Sequence, residues 1–448
     1  MKYHIIVVVI CLMLSTVSLA SEDEFNSDRL PIGNPDTKYD FCAVKLNKIF
    51  DTNDNKEINI DKFIEKLNKF RIIMVGESHT SEQNHIMQLK IIKGLVESGS
   101  KVCLALEMFN ESQNQALNDY RSGKINEEEF LDSSDYFNTW GHNYRYYKPI
   151  FNYANEKNIK MFGVNIKHEY ASKIGRRGTK SLTPEELEVL PKIDTTNVEH
   201  RFFIKVAMEG MDATTPAQFK KIYAAQSLWD AAMGDGAIKV ATENPEAIVV
   251  VLAGSGHVVY NLGIGKIIKT RSDFPFASVV AVEVPDTVKE SLMMKVKKSI
   301  KEKPKKKEGK KTETTVKEKK MPPMSMMPPM GNIDNTPFKI VIRSLSDFLW
   351  GLPEEKETKY PSFGFSVKER SEKGFEVKRV IPETIAEKQG IQKGDIILSI
   401  DGESFPDMAK LKKHLHFKNW GDQISFKILR DEEDMKIEFV IEPMEDEE

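Results

Sequence analysis

Short apolar runs alternate with helical stretches between about Asp36 and Pro285, and this alternation constrains the fold more than any other feature of the chain. Helices are predicted, for example, over Glu82–Glu97 and Pro216–Thr242. Strands that alternate with helices favour an α/β fold, in which a parallel sheet is flanked by helices. The predicted strands are Arg71–Val75, Val102–Leu106, Lys160–Val164, Ile248–Ala253 and Ser278–Val284.

The loop sequence Gly-x-x-His follows two of these strands. Gly76-Glu77-Ser78-His79 comes after the first strand and Gly254-Ser255-Gly256-His257 after the fourth. Glycine allows a sharp turn at the end of a strand. In an open parallel sheet, the loops beyond the carboxyl ends of the strands form the ligand crevice. We therefore expect the two imidazoles to share one site.

Other polar side chains are predicted at the same edge of the sheet. Glu107 ends the second strand and Asn165 the third, with Lys167 and His168 just beyond. Two carboxylates and two imidazoles that converge are typical of a divalent metal site, for Zn or Mn, or of an acid/base pair. Polar residues are also ordinary on surface loops. The metal ligands predicted from this set are His79, Glu107 and His257.

An aromatic segment lies between the second and third strands. A Tyr or His from such a segment suits the axial position of a haem iron, and Arg145 suits a haem propionate. For any single residue of the segment, packing of a helix against the sheet is the simpler explanation. The segment contains Tyr136, Phe137, Trp140, His142, Tyr144, Arg145, Tyr146 and Tyr147.

One face of the predicted helix over residues 216–242 carries Tyr223, Gln226, Asp230 and Met233, which are spaced by three and four residues. Gln226 and Asp230 are polar on a face that is expected to be apolar. They either line a site or satisfy buried backbone groups by hydrogen bonding.

The amino terminus has the features of a secretory signal. Lys2 precedes the apolar run Ile5–Leu14, and a small-x-small cleavage site ends at Ala20. The apolar run is too short for a membrane span, and Cys11 lies in a poor lipidation context. We therefore expect a periplasmic or secreted protein after cleavage near Ala20, with residues 1–20 as the signal peptide.

The bulk properties bound the remaining possibilities. A length of 448 residues predicts two or three domains, and a formal net charge of −3 gives no sign of a nucleic-acid partner. Cys42 and Cys103 remain after cleavage of the signal. Cys103 lies in a strand-like run, so both are expected to be buried thiols rather than a disulfide.

Residues 286–345 differ from their surroundings and predict a linker. The segment is rich in lysine and then in proline and methionine, without an apolar period. The run Met321–Met330 offers thioethers, which suit Cu(I), although a low-complexity linker accounts for it more simply.

The last hundred residues return to the pattern of short strands and turn glycines. Gln389–Gly402 and Ser362-Phe363-Gly364-Phe365 resemble the signature of a PDZ domain, of the bacterial periplasmic kind, over residues 355–443. The resemblance implies that the loop at Phe363, Gly364 and Phe365 binds the carboxylate of a peptide or protein C-terminus, which adds as a strand to the sheet. Met408, Leu411 and Leu415 have helical spacing and line either the groove or the core.

Taken in order, five motifs between Arg71 and Val284 resemble the ChaN-like haem-binding uptake family, which shares a superfamily with erythromycin esterases and the Tiki/TraB proteins. The resemblance implies an exported protein that binds haem in iron uptake and that can form a homodimer. The predicted haem contacts are His142, Tyr144, Arg145, Tyr146, Tyr147, Gln226 and Asp230. The motifs are Gly76-Glu77-Ser78-His79, Leu106-Glu107-Met108-Phe109, Asn165, Ala225–Met233 and Gly254-Ser255-Gly256-His257-Val258.

The esterase members of the superfamily imply a second function. Their Gly-Glu-x-His and Gly-x-x-His loops act in hydrolysis, and the corresponding catalytic set in this chain is Glu77, His79, Glu107 and His257. A scaffold in which both sites are vestigial is a third alternative. The sequence thus leaves two main hypotheses, a non-enzymatic haem-binding protein, which we favour, and a metal-dependent hydrolase. Each would use the PDZ domain to recruit a partner or a substrate.

Overall fold

The computed structural model describes residues 27–208, 215–288, 336–370 and 373–443. The predicted signal peptide and the run Met321–Met330 lie outside the described residues. Within the described part of the chain, no helix is long and apolar enough to cross a membrane.

An α/β domain contains most of the described chain, and its sheet is mostly parallel. Eight strands run in the order β3-β2-β10-β8-β4-β7-β5-β6, and those from β10 to β6 are parallel to one another. The separate strands β1 and β9 form an antiparallel pair. The strands are β1 Phe41–Lys45, β2 Ile49–Asp51, β3 Lys56–Ile58, β4 Ile72–Glu77, β5 Lys101–Asn110, β6 Lys160–Asn165, β7 Ala247–Gly254, β8 Phe276–Val284, β9 Phe338–Ile342 and β10 Phe348–Pro353.

Helices cover both faces of this sheet, which confirms the predicted fold class. Two of them match the prediction closely: α2 has the predicted bounds, and α10 extends one residue further. Ser81 caps α2 and Thr215 caps α10, each by accepting a backbone N–H. The helices are α1 Ile60–Leu67, α2 Glu82–Glu97, α3 Asn114–Arg121, α4 Glu127–Ser133, α5 Tyr136–Thr139, α6 Lys148–Glu156, α7 His168–Arg177, α8 Pro184–Val189, α9 Val198–Ala207, α10 Pro216–Glu243, α11 Ser255–Val258 and α12 Ile264–Arg271.

The central strands are buried on both faces, as expected for a parallel sheet covered by helices. On one face, α10 packs against the sheet through residues such as Leu228 and Met233. On the other, Phe109, Phe130 and Phe151 belong to a second, aromatic-rich cluster. Cys42 and Cys103 are buried free thiols, as expected.

The predicted linker, residues 286–345, includes a strand in its described part. Phe338–Ile342 is β9, which pairs with β1, and β10 follows at once between β2 and β8. The chain therefore returns to the first sheet before the C-terminal domain begins.

The C-terminal domain has an antiparallel sheet in the order β11-β12-β13-β14-β15 and a small core that includes Val377, Phe426 and Ile428. Arg430 closes one side by binding Asp395, at 2.7 Å from Nε to Oδ1. Its elements are β11 Phe365–Glu369, β12 Phe375–Val380, α13 Ile385–Lys388, β13 Ile396–Ile400, α14 Met408–His416, β14 Gln423–Arg430 and β15 Glu433–Val440.

Candidate functional site

The two Gly-x-x-His loops lie side by side at the carboxyl edge of the sheet. Strands β4 and β7 are adjacent and parallel, and their register pairs Glu77 with Gly254. A Cβ on Gly76 would stand 2.9 Å from Oγ of Ser255, so the close approach of the two loops requires a glycine there. The shared position of the loops follows directly from strand order.

Glu77 is the centre of a buried hydrogen-bond network. Its Oε1 lies 2.7 Å from Nδ1 of His79 and accepts a hydrogen bond of 2.7 Å from the Tyr147 hydroxyl. Its Oε2 accepts one of 2.6 Å from Gln88, and His85 lies 3.5 Å away. The carboxylate is therefore held by donors from three separate segments of the chain.

These partners determine the charge of Glu77. Burial disfavours the carboxylate, but the imidazoles of His85 and His79 outweigh burial and lower the pKa of Glu77 to about 2. Burial lowers the pKa of His79. The carboxylates of Glu77 and Glu107 outweigh burial and raise the pKa of the imidazole above its ordinary value.

A second carboxylate–imidazole pair lies beside the first. Nδ1 of His257 is 2.7 Å from Oδ1 of Asp230 on α10, and Nε2 is 3.4 Å from Oε1 of Glu107. The terminal amide of Gln226 is 2.9 Å from Nδ1. Burial would lower the pKa of His257, but Glu107 and Asp230 raise it to about 10, so the imidazole is charged at neutral pH.

His79 links the pairs to the aromatic segment. Its ring centroid is 4.9 Å from that of Trp140 and 4.3 Å from that of His142. A Cβ on Gly254 would stand 3.1 Å from Nε2 of His79, so only glycine leaves this ring its full space. Glu77, His79, Glu107 and His257 are each 3–5% exposed, and the site is therefore closed to solvent.

Two parts of the chain match family models. Residues 63–268 match the model described as haem-binding uptake, Tiki superfamily, ChaN, and residues 354–429 match the PDZ domain. The chain carries a ChaN-like haem-binding domain and a C-terminal PDZ domain. Both resemblances noted in the sequence are thus confirmed, and the ChaN-like domain contains the site described above.

Solved structures give weaker likenesses. ChaN of Campylobacter jejuni with cofacial haem is 21% identical over 52% of this chain and 90% of its own, with a TM-score of 0.44. A mutant of erythromycin esterase EreC in its open conformation is 12% identical over 55% of this chain and 78% of its own, with a TM-score of 0.33. The HtrA3 PDZ domain with a phage-derived ligand is 21% identical over 18% of this chain and 84% of its own, with a TM-score of 0.17. A search of curated proteins gave no match.

The aromatic segment of the ChaN-like domain divides between core, site and domain interface. Tyr136 and Tyr144 are core residues, with ring centroids 5.4 Å apart, and Tyr147 reaches Glu77. Burial raises the pKa of the Tyr144 phenol well above its ordinary value. The Tyr146 ring is 4.9 Å from that of Tyr360, beside the PDZ domain. Packing therefore explains Tyr136 and Tyr144.

Arg145 and Phe137 contact the PDZ domain. The Arg145 guanidinium donates to the backbone oxygens of His416 and Lys418, each at 2.6 Å. The Phe137 ring is 5.5 Å from that of His416. Arg145, which was predicted to pair with a haem propionate, binds carbonyl groups of the PDZ domain in this structure.

The other predicted residues surround the two pairs. Asn165 donates to the backbone oxygen of Glu107 at 3.0 Å and so braces that strand end. Tyr223 is 3.4 Å from Nδ1 of His200, whose Nε2 is 3.4 Å from Asp230. Met233 is buried in the core, and the His168 ring stacks on Trp229 with centroids 6.3 Å apart.

Sequence reasoning missed His85, Gln88 and His200. His85 and Gln88 lie one turn apart on α2, and His200 lies on α9, whose opposite end is apolar. All three are polar and buried. His85 and Gln88 lie on a helix that packs against the sheet, whereas His200 packs against Tyr223 and Asp230 of α10. Polar residues at helical spacing on a face expected to be apolar identified Gln226 and Asp230 on α10. His85 and Gln88 show the same pattern on α2.

The predicted metal set, His79, Glu107 and His257, is brought together, but among the described residues no group of three or more His, Cys, Asp or Glu has an arrangement suited to a metal ion. Both ring nitrogens of His257 face carboxylates, Nδ1 that of Asp230 and Nε2 that of Glu107. Each carboxylate also already binds an imidazole.

Proposed function

We propose that the chain is an exported haem-binding protein that acts in iron uptake or haem handling. The observation that carries this proposal is the close pair His79 and His142, with ring centroids 4.3 Å apart and ring planes tilted by 44°, inside a ChaN-like domain. Histidine is a common axial ligand of haem iron.

The residues around His79 fit such a ligand. A metal-binding histidine usually donates its other ring nitrogen to a carboxylate, which fixes the orientation of the ring. Glu77 is placed to do this at Nδ1, and Nε2 faces Gly254. The aromatic wall, with Trp140 in contact with His79, offers the apolar surroundings that a porphyrin needs. Haem held there would supply an iron centre for ligation or electron transfer.

Absorbance spectroscopy with hemin tests this proposal. The purified mature chain should develop a Soret band, and His79→Ala and His142→Ala should each weaken hemin binding at least about tenfold through loss of an iron ligand. His414→Ala is the matched control, because His414 lies on the PDZ surface and binds Asp401 at 2.8 Å. A wild-type chain without a Soret band, or single variants with unchanged affinity, would reject haem binding at His79 and His142. Sedimentation of the haem-loaded chain tests whether it forms a homodimer, which the family resemblance implies.

The two carboxylate–imidazole pairs favour hydrolysis as a second candidate. Glu77–His79 and Asp230–His257 resemble acid/base pairs, each at 2.7 Å. A hydrolase should cleave a simple ester such as p-nitrophenyl acetate and lose activity in His257→Ala. Inhibition by a chelator that zinc or manganese reverses would support the metal-dependent form. Turnover that is equal in wild type and His257→Ala would exclude this site.

The PDZ domain supplies the proposed peptide site. Gly364 adopts a φ of +75°, and a Cβ there would stand 2.2 Å from the Thr384 side chain, so the loop of Phe363, Gly364 and Phe365 requires glycine. A peptide with a free apolar C-terminus should bind, whereas its amidated form should not. Equal binding of both forms would reject carboxylate recognition at this loop.

Export is the remaining part of the proposal. The signal-like residues 1–20 support a periplasmic or secreted location. Cell fractionation should find the full chain outside the cytoplasm and a chain without residues 1–20 inside it. The same distribution for both chains would contradict export by this segment.

A further inference from the structure

Helix α14 of the PDZ domain uses two faces. Leu411 is buried in the PDZ core, and Met408 and Leu415 pack beside it. On another face, Ala409 packs against the aromatic cluster of the ChaN-like domain, and Lys412 and His416 follow at helical spacing. The helix that packs on the PDZ core is therefore also the helix that docks on the ChaN-like domain.

Opposite charges hold the docked helix at its edge. Lys410 is 2.9 Å from Asp132, and Lys413 is 2.8 Å from Glu128. Both acidic residues lie on α4, which immediately precedes the aromatic segment. The docking surface thus combines apolar packing with complementary charge.

The PDZ domain also binds the backbone and side chains of the cover segment, which we define as Tyr136–Tyr147. Lys412 donates to the Phe137 carbonyl at 2.9 Å. In the other direction, Asn143 donates to the His416 carbonyl at 2.7 Å, and Arg145 donates to the same oxygen and to Asn419. The PDZ domain therefore binds the cover segment on both sides of residues 140–142.

Residues 140–142, which lie between these contacts, close the site. Trp140 and His142 are the members of the cover segment whose rings contact His79, at 4.9 and 4.3 Å. A porphyrin can reach His79 only if this part of the segment moves, because the site residues are fully enclosed. Movement of residues 140–142 strains the contacts of Asn143 and Arg145 with the PDZ domain.

A second contact lies where the PDZ domain begins. The Arg145 guanidinium stands 3.9 Å above the Tyr360 ring, and Lys359 forms an ion pair with Glu82 at the start of α2. This contact fixes the start of the PDZ domain beside the site as well, so the docked position is defined from two sides.

We propose that the PDZ domain gates the buried site: docked, it holds the cover segment closed over His79, and undocked, it allows the segment to open and admit haem. The gate rests on the proposed haem function for its ligand. The closure of the segment itself can be measured without haem.

Charge reversal on α14 tests the gate. Lys410→Glu with Lys413→Glu should repel α4, undock the PDZ domain and accelerate hydrogen exchange in residues 136–147 about tenfold. Adding Glu128→Lys and Asp132→Lys should restore slow exchange by re-forming the pairs in reverse. Lys388→Glu with Lys393→Glu is the control, because it changes the same charge on exposed PDZ residues. Ala409→Arg, which inserts a long side chain into the docking surface, is a second undocking variant.

The hemin association rate is the second measurement, and it should increase about tenfold in both undocking variants. Unchanged exchange of residues 136–147 in both variants would overturn the gate. Faster exchange with an unchanged hemin association rate would overturn its role in ligand entry. Faster exchange in a protein that binds no hemin in any form would instead support the gate and reject the proposed haem function.

Discussion

At the scale of single residues, the site is a set of buried charges that compensate one another. Glu77 and Glu107 are carboxylates in an enclosed space, and His79 and His257 supply the opposing charge. A buried carboxylate without a partner would become protonated or would destabilise the fold by several kcal/mol. The network therefore preserves ionised groups where an apolar core would otherwise exclude them.

The Asp230–His257 pair should make stability depend on pH. The folded protein raises the pKa of His257 to about 10 against burial, so its stabilising effect is fully present below the ordinary histidine pKa of about 6.5. The effect is lost as pH rises towards 10. We expect Asp230→Asn to reduce the free energy of unfolding at pH 7 by about 3 kcal/mol, because it breaks a buried pair. Urea denaturation at several pH values measures this.

The difference between wild type and Asp230→Asn should shrink from pH 7 to pH 10. Asp434→Asn serves as the control, because Asp434 pairs with Lys427 on the surface and should change stability by less than about 1 kcal/mol. A difference that is independent of pH would mean that the charge of His257 does not depend on Asp230.

The sequence was sufficient to find the residues at strand ends but not their partners. Glu77, His79, Glu107 and His257 follow from the positions of β4, β5 and β7, since parallel strands end at one edge. Gln226 and Asp230 follow from helical spacing. The contacts of Arg145 were not predictable, because its carbonyl partners belong to residues more than 270 positions away. No local pattern encodes such a contact.

At the scale of elements, the returning strand β10 joins two parts of the molecule. It runs parallel to β8 and antiparallel to β2, and Leu349 within it is fully buried. Asp347, just before it, accepts hydrogen bonds of 2.9 Å from the backbone and hydroxyl of Ser278. The sheet of the ChaN-like domain is therefore completed by residues that follow the predicted linker.

A cut between residues 289 and 335 should leave the protein assembled. With a specific protease site inserted there, the two fragments should elute together in gel filtration, because β9 and β10 remain paired with β1, β2 and β8. Urea should separate them. In Leu349→Asp, which buries an unpaired charge in β10, the nicked fragments should separate without urea. Separation of the nicked wild-type fragments would contradict the pairing.

The elements that the sequence predicted are those with a strong local period. The five predicted strands and the two predicted helices between residues 71 and 284 show this period, and their bounds agree within a few residues. β10 has suitable strand residues in Phe348-Leu349-Trp350, but its place in the first sheet depends on pairing across more than 60 residues of sequence. Spacing along the chain gives no information about that pairing.

At the scale of the whole molecule, docking of the PDZ domain buries His416 where a positive charge on its imidazole is unfavourable. His416 is packed against Phe137, and burial together with Lys412 and Arg145 lowers its pKa to about 3. Burial also lowers the pKa of Lys412. The docked arrangement therefore requires a neutral His416, whereas an undocked and solvated His416 would titrate near its ordinary value of about 6.5.

Acidification should consequently release the PDZ domain. Because docking lowers the pKa of His416, docking is at full strength above about pH 6.5, where the imidazole is neutral in both states. The docking equilibrium constant should fall by up to about tenfold for each pH unit below that value. Glu128 and Asp132 do not weaken the contact in this range, because bonds to Lys413 and Lys410 outweigh the effect of burial and lower their pKa values. Small-angle X-ray scattering should therefore show a larger radius of gyration at pH 5 than at pH 7.5.

Two substitutions on α14 isolate the group responsible. His416→Gln, which keeps a polar side chain without a charge, should abolish the change between pH 7.5 and pH 5. His414→Gln should retain it, because His414 lies on the same helix but binds Asp401 within the PDZ domain. If His416→Gln expands on acidification as wild type does, another group drives the release. If the mechanism holds, acid that frees the PDZ domain should also speed hemin entry, since docking and closure of the cover segment are one event.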